Sequence, residues 1–403
     1  MSTSLLYHGF GIRGYEYVRT TYSEGEVVFT IRQDTKTCCC AACGSRDVGL
    51  KGHVERRFHS LPIGSRRTAV VLPIPRVKCR ACGVIRQVEV AFAEERRRYT
   101  KAFERYALEL CQRMTILDVA NHLGVSWDVI KDMQKRDLRR RFAKPKLKHL
   151  RQIAIDEICI GRGYQFMTLV LDLEGGAVVF VGDGKGADAL KPFWKRLRAS
   201  RAKIEAVAID MSAAYRGAVS TFLPKATIVF DHFHVVTLFN RKLTELRRTV
   251  YRQATAAHKE VLKGSRWLLL KNPENLDEHR DEKRRLQEAL KLNQTLATAY
   301  YLKEELRQFW HQPGKRFATV FLDGWIERAK ASGIRLLKTM AKTLTRHREG
   351  LLAYYDVPLS SGRMEGTNNK IKTMRRQAYG FRDREFFELK ILAIHETRYA
   401  LVG

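Results

Sequence analysis

Along residues 1–90, apolar and polar positions alternate in short runs broken by turn residues. "YEYVRTTYSEGEVVFTI" predicts two strands about a turn at "SEGE", and "TAVVLPIPRVKC" predicts a further strand ending at Pro75. From about residue 91 the period becomes helical, through "KAFERYALELCQRM" and "TILDVANHLGVSWDVIKDMQKR". "RRRFAKPKLKHLR" (139–151) contains Pro145 and reads as a basic linker. Strand signals then return in "QIAIDEICI", "YQFMTLVLDLEG" and "AVVFVGDG", a three-strand meander. Helix "DALKPFWKRLRAS", strand "IEAVAID", helix "SAAYRGAVSTFLP" and strand "ATIVFDHFHVV" follow, an α/β layout with a mixed sheet. From about 240 to 350 the chain reads as almost entirely helical, interrupted at "KNPEN" and "HQPGKR". That block reads as an insertion, because the last helix can complete the α/β domain before it.

Composition narrows the class. At 403 residues the chain is long enough for two to four domains. Its 74 Lys+Arg against 43 Asp+Glu give a formal net charge of +31, an excess that points to a polyanionic partner. No apolar run is long enough to span a bilayer, so nucleic acid is favoured over a membrane surface. "MSTSLLYHGFGIRGYEYV" has no secretory pattern, so the expected compartment is the cytoplasm, with the eight cysteines reduced.

Cys40-Ala-Ala-Cys43-Gly and Cys79-Arg-Ala-Cys82-Gly are two C-x-x-C-G units. A two-residue spacer lets both thiolates of each unit face one tetrahedral Zn²⁺, with glycine permitting the tight turn. Four thiolates leave no open position, so one structural zinc is expected, the strands between the units forming the hairpin of a ribbon. Cys38 and Cys39 blur the register; His53 and His59 are weaker alternative ligands. Cys111 and Cys159 read as core residues.

In "TILDVANHLGVSWDVIKDMQKR", Leu117, Ala120, Leu123, Val125 and Ile130 suit two packed helices, Gly124 supplies the turn and Ser126 can cap the second helix through its hydroxyl. This predicts a DNA-binding helix-turn-helix with Trp127, Asp128, Lys131 and Lys135 exposed on the second helix. Ser126, Trp127, Lys131 and Lys135, with Arg139, Arg140 and Arg141 of the linker, are candidate DNA contacts, the lysines to phosphate. An ordinary helical hairpin is the alternative.

Three carboxylates stand where chemistry is placed. Asp156 sits among Ile153, Ile155 and Ile158, where a carboxylate is costly unless a cation compensates. Asp210 closes the strand "IEAVAID", at a strand C-terminus, or else it is the N-cap of the next helix. Glu365 opens a basic helix. At 100° per residue Glu365, Asn369, Lys372 and Arg376 share one face, while Met364, Thr367, Ile371, Met374 and Ala378 form another that can pack on the sheet. Glu365 alone could simply complement the helix dipole. In an RNase H-like sheet the three elements lie side by side, and the carboxylates can hold two Mg²⁺ (or Mn²⁺) ions for in-line displacement at phosphorus. Asn369, Lys370, Lys372, Arg375 and Arg376 would then hold the DNA backbone nearby.

"AIDEI", "AIDMSAAY", "VFDHFHVV" and "GRMEGTNNKIKTMRRQAYGF" resemble the motifs of the ISL-three family of bacterial insertion-sequence transposases, a DDE group. The zinc-binding and helix-turn-helix regions match as well, so the resemblance covers nearly the whole chain. It implies that Asp156, Asp210 and Glu365 are the catalytic, metal-binding triad. It also implies recognition of terminal inverted repeats in double-stranded DNA, Mg²⁺-dependent strand cleavage and transfer, and a working oligomer, with a dimer favoured. Asp231-His232-Phe233-His234 resembles a D-x-x-H element of several DDE groups. That makes Asp231 and His234 accessory candidates, and Asp231 the rival of Asp210.

The expected fold is multidomain α/β: a zinc ribbon-like domain (1–90), a helix-turn-helix domain (91–138), a basic linker (139–151) and an RNase H-like catalytic domain (152–240 and 351–403) interrupted by an all-α insertion (241–350). Such an enzyme would work in the cytoplasm, associated with the nucleoid. A structure-specific nuclease and a catalytically silent DNA-binding regulator are the competing readings. "GDGKG" (182–186) reads as a turn and "DEHRDEKRR" (277–285) as a solvated face. Trp194, Trp267, Trp310 and Trp325 read as core, with Trp267 or Trp325 the candidates for stacking on an unpaired base.

Overall fold

The computed structural model describes residues 5–161, 165–230, 232–359 and 362–396. It divides into two compact units. The first holds the described residues through Ala143, Met374–Leu389 and Glu396; the second holds Lys144–Thr373 and Lys390–His395.

In the first unit a short helix α1 (Leu5–Phe10) precedes five strands: β1 (Tyr15–Ser23), β2 (Glu26–Gln33), β3 (Val48–Ile63), β4 (Arg66–Cys79) and β5 (Ile85–Gln87). The order is β1-β2-β4-β3, with β5 also on β4. Glu24 and Gly25, both at positive φ, close the first hairpin where "SEGE" predicts it. The strand expected to end at Pro75 instead runs to Cys79. Its pairing with β2 stops at Val71 and its pairing with β5 starts at Arg76. Pro73 and Pro75 therefore fall where β4 has only β3 beside it, and a missing N–H costs little there.

Three helices follow, α2 (Lys101–Leu110), α3 (Ile116–Leu123) and α4 (Trp127–Phe142). The Thr115 hydroxyl accepts from the Asp118 N–H to start α3, and Gly124 ends it at a φ of 65°. Val119, Ala120, Leu123, Ile130 and Met133 are buried with Phe103 of α2, the core of a helix-turn-helix. Two expectations change here. Leu117 is exposed, because the inward stripe of α3 is Val119, Ala120 and Leu123. Ser126 stands at the N-cap of α4 in extended conformation, but its hydroxyl makes no capping bond. The helix α4 also runs further than the linker reading allowed, carrying Arg139–Arg141 in its last turn, since no breaker precedes Pro145. Cys111 is buried as expected, whereas Cys159, at the end of its strand, is exposed.

The second unit is built on a mixed sheet of β6 (Gln152–Cys159), β7 (Phe166–Asp172), β8 (Val178–Asp183), β9 (Ala206–Ile209) and β10 (Thr227–Phe230), in the order β10-β9-β6-β7-β8. The meander β6–β7–β8 is antiparallel; β9 and β10 join parallel through the crossover helices α5 (Lys191–Ser200) and α6 (Ala213–Phe222). "HFHVV" is not strand, as expected from the pattern, but the first turns of α7 (His232–Gln253): β10 has only four partners on β9, and the chain leaves the sheet there.

Shorter helices α8 (Ala256–Leu262), α9 (Ser265–Leu270), α10 (Glu282–Lys291) and α11 (Gln294–Arg307) lead to α12 (Lys315–Ala331), α13 (Arg335–Arg346) and α14 (Arg348–Leu352). Their apolar faces and the sheet share one hydrophobic core. Within "DEHRDEKRR" Glu282 is not solvated but buried, accepting from Lys271 Nζ at 2.5 Å and from the Asp277 N–H. Trp267 is 64% exposed rather than core, with the Arg266 guanidinium over its ring. Helix α15 (Gly362–Gln377) buries Met364, Thr367, Ile371 and Met374 as its pattern predicts, though not Ala378, which lies past its end. Helix α16 (Arg384–Leu392) is followed by a short 3-10 turn, Ile394–Glu396.

Trp325, on α12, has no exposed surface, and its Nε1–H donates to the Leu302 carbonyl at 2.9 Å. Trp325→Ala would leave a large void and remove a buried hydrogen bond to α11. The expected cost is about 3–5 kcal/mol, read from urea unfolding of the helical block. A loss below about 1 kcal/mol would mean that the core collapses around the site.

Candidate active site and nucleic-acid interface

Because β6 and β9 are parallel neighbours, Asp156 in the middle of β6 and Asp210 just past the end of β9 line one cavity of about 10 Å³, with His234 and Met364. That is room for about one water-sized group. Asp156 is held from two sides: its Oδ1 accepts from the Glu157 N–H at 2.8 Å, and its Oδ2 from Asn368 Nδ2 at 2.8 Å. His234 Nε2 stands 3.9 Å from Asp156 Oδ1. Burial raises the Asp156 pKa, the His234, Glu157 and Asn368 interactions oppose that, and Asp210 adds to it. Asp210 Oδ1 accepts from the Ser212 N–H at 2.9 Å, a local turn bond; the N-cap of α6 is Ser212, so Asp210 is not the helix cap that the alternative reading made it.

The remaining candidates are placed differently. Glu365 follows Met364 on the first turn of α15, with its side chain exposed; among the described residues no hydrogen bond or ion pair joins it to Asp156 or Asp210. Asp231 lies outside the described residues. Asn369, Lys372 and Arg376 are exposed, while Lys370 and Arg375 are half-buried.

Sequence reasoning missed three residues that shape the site. Asn368, rather than Asn369, reaches Asp156, and its own Oδ1 is buried without a partner. Tyr215, on α6, touches Thr168 and Gly186 N and donates to Glu157 Oε2 at 3.2 Å, and burial pushes its pKa up to about 12. The Arg363 guanidinium donates to the carbonyls of Leu173 and Glu174 at 2.6 and 2.7 Å, fixing the start of α15 against the β7–β8 turn. Only Asn368 had a signal, its position one turn from Glu365. A carboxylate pair, both members partly buried, beside an orphaned amide oxygen is a hard-oxygen donor set that fits a divalent cation.

The four cysteines converge. Cys40 and Cys82 Sγ lie 3.7 Å apart, Cys43 and Cys79 Sγ 3.6 Å, and all four lie within 4.8 Å of one another. A tetrahedron with Zn–S bonds of about 2.3 Å has sulfurs roughly 3.8 Å apart, so the cluster fits one zinc. Both loops have the same form: Gly44 N donates to Cys40 O and Gly83 N to Cys79 O, each glycine at positive φ. The backbone N–H groups of Ala42 and then Cys43 lower the Cys40 thiol to about 6. The long β3–β4 hairpin, pairing Val48 with Cys79, brings the loops together. Cys38 is buried in the sheet core and Cys39 is exposed; neither joins the cluster, nor does His53 or His59.

The basic face of α4 corrects the expectation of exposed lysines. Lys131 and Lys135 are partly buried and reach Asp383 at 3.1 and 2.8 Å. Arg139 pairs with Glu385, Arg140 with Asp137 and Arg141 with Glu396. The segment around α16 thus neutralises this face, which periodicity could not foresee because the partners lie some 250 residues away. Trp127, at the start of α4, is exposed as expected. Among the described residues no helix is long and apolar enough to cross a membrane.

Two outcomes follow from these clusters. Partial burial pushes Asp383 up, but bonds from Lys135, the Phe386 N–H and Lys131 outweigh it and hold the carboxyl below its usual range. A depressed folded-state pKa adds stability that is full above about pH 4 and is lost as pH falls further. Asp383→Asn is therefore expected to cost about 2 kcal/mol in urea unfolding at pH 7, with the gap from wild type closing below about pH 4; a pH-independent gap would assign the loss to packing. For the cysteine cluster, metal analysis should find one zinc per chain, lost in Cys79→Ser together with the cooperative melting of the β-sheet domain. An unaltered melt in the metal-free protein would count against a structural zinc.

Three family models match the chain: the "zinc-finger of transposase IS204/IS1001/IS1096/IS1165" over residues 36–82, the "Helix-turn-helix domain of transposase family ISL3" over 88–137 and a "Transposase" domain over 153–391. The transposase for insertion sequence element IS1001 of Bordetella parapertussis is 34% identical over 391 residues, covering 95% of this chain and 96% of its own. The transposase for insertion sequence element IS1557 of Mycobacterium tuberculosis is 29% identical over 393 residues, with coverages of 90% and 87%. The Drosophila P element transposase strand transfer complex aligns at a TM-score of 0.34 and 11% identity, over 66% of this chain and 81% of that one, too distant to establish a shared fold. With a zinc finger, a helix-turn-helix and a transposase domain matched in chain order, and a relative aligned nearly end to end, this chain belongs to the ISL3 family of DDE transposases.

Proposed function

We propose that Asp156, Asp210 and Glu365 are the catalytic triad of this DNA transposase, and that the enzyme cuts and joins the terminal inverted repeats of its own insertion sequence with Mg²⁺. The observation that carries this is the cavity where Asp156 and Asp210 meet between parallel strands, with the turn of α15 that bears Glu365 against it through Met364. Divalent cations bound there would supply an activated hydroxyl nucleophile and stabilise the leaving oxygen at phosphorus. Asn368 and the Glu157 N–H orient the Asp156 carboxylate, and the Ser212 N–H orients Asp210. Glu365, exposed on a helix start fixed by Arg363, would complete the oxygen donors that hold such cations. Lys372 and Arg376, exposed on the same face, hold the backbone of the DNA being cut.

The strand order, a three-strand antiparallel meander followed by two parallel strands, supports an RNase H-like sheet. On this reading the catalytic domain covers 152–240 and 351–403, interrupted by a helical insertion at 241–350, and residues 1–90 and 91–138 recognise the end. An element has two ends, so the smallest working assembly is a dimer. The protein acts in the cytoplasm on the nucleoid.

The test is cleavage and joining of a labelled duplex carrying the element's end, in Mg²⁺, by wild type and Glu365→Gln. The variant is expected to bind the end normally and to lose more than ~100-fold in both steps, because disturbing even the outer partners of metal ligands costs 10–100-fold. Equal rates would reduce Glu365 to a helix-end charge and move the third place elsewhere.

A further inference from the structure

Within the first unit, the turn joining β3 to β4 and the end of α3 enclose a cavity of about 90 Å³. Its lining is rich in donors. Ser60, only 2% exposed, contributes a hydroxyl that has no hydrogen-bond partner. Arg67 packs its guanidinium against the helix-turn-helix turn so closely that a Cβ on Gly124 would lie 2.0 Å from Cζ. His59, Ser65 and His122 complete the donor set. The nearby carboxylate Glu26 is already held by Arg57.

The contrast with α4 gives the cavity its meaning. Lys131, Lys135, Arg136, Arg139, Arg140 and Arg141 each have a carboxylate partner, so that face presents little free positive charge. Arg67 and His122 have none among the described residues. A buried orphan hydroxyl beside an unpaired guanidinium and imidazoles lacks acceptors and negative charge, and a tetrahedral oxyanion supplies both. The cavity adjoins Gly124, two residues before Ser126 at the start of α4, the end of a recognition helix that enters a major groove.

We propose that this cavity grips one phosphate of the DNA backbone flanking the groove entered by α4, with Arg67 and Ser60 as its main donors. The inference rests on the end-binding reading above and adds a contact from the zinc-bearing sheet to those of the helix-turn-helix. It fixes the register of the duplex and carries no sequence preference.

The experiment measures binding of the full-length, zinc-loaded protein to the end duplex and to a scrambled duplex across a salt series, for wild type, Arg67→Gln and Ser65→Glu. Removing one phosphate contact should weaken both duplexes roughly 10-fold and lower the slope of log affinity against log salt by about one. The preference for the end should be unchanged. Ser65 lies exposed in the turn, so the added carboxylate repels phosphate without disturbing the core, and this variant decides the matter if Arg67→Gln melts early. Wild-type slope and affinity in a folded Ser65→Glu overturn the proposal. So does a melting shift by inorganic phosphate that Arg67→Gln abolishes while the DNA slope stays put, since the cavity then serves a free anion. A wild type that does not distinguish the end from the scrambled duplex sinks the end-recognition reading itself; an altered slope with preference intact speaks for the cavity alone.

Discussion

Two carboxylates held together at the end of a parallel strand pair impose the constraint around which the second unit is arranged. Asp156 is partly buried, and burial first and then Asp210 in the same small cavity raise the cost of ionising it. Such a pair persists only where the surroundings fix it. The Glu157 and Ser212 N–H groups and Asn368 occupy the carboxylate oxygens, Tyr215 ties α6 to β6 and β7, and Arg363 ties the helix of Glu365 to the β7–β8 turn. The arrangement is preorganised for a cation and costly without one.

Charge is distributed with a different logic in the first unit. A net +31 suggests a surface basic throughout, yet the face of α4 that carries most of its cations is matched by Asp383, Glu385 and Glu396. Partly buried lysines with fixed carboxylate partners stabilise packing between helices rather than offer themselves to phosphate. Among the described residues, a guanidinium without a carboxylate partner stands beside the helix-turn-helix at the start of β4 instead, that of Arg67. The sheet that carries the turn has the cysteine cluster at its far end, so a set of thiols that fits a zinc and a basic loop sit at opposite ends of one hairpin.

The elements were legible where local pattern dominates. The two C-x-x-C-G units foretold the cluster because the spacing and the glycines are themselves the geometry of each loop. The helix-turn-helix was readable from Gly124 and its apolar positions, the mixed sheet from the order of its strands, and the buried face of α15 from its period. Errors came where a neighbour overrides the local rule. Pro75 does not end a strand that has a partner on one side only, and "HFHVV" becomes helical once β10 runs out of pairing.

The sequence by itself therefore determined the zinc loops, the helices and strands, and the residue types able to bind metal and DNA, because these depend on spacing within a few turns of chain. Tertiary structure alone decided that Asn368 rather than Asn369 meets Asp156, that Lys131 and Lys135 are spent on Asp383, and that Ser60 and Arg67 share a cavity with His122. Each of those contacts joins residues far apart along the chain, and a carboxylate or a cation carries no mark in its own sequence of which distant partner will neutralise it.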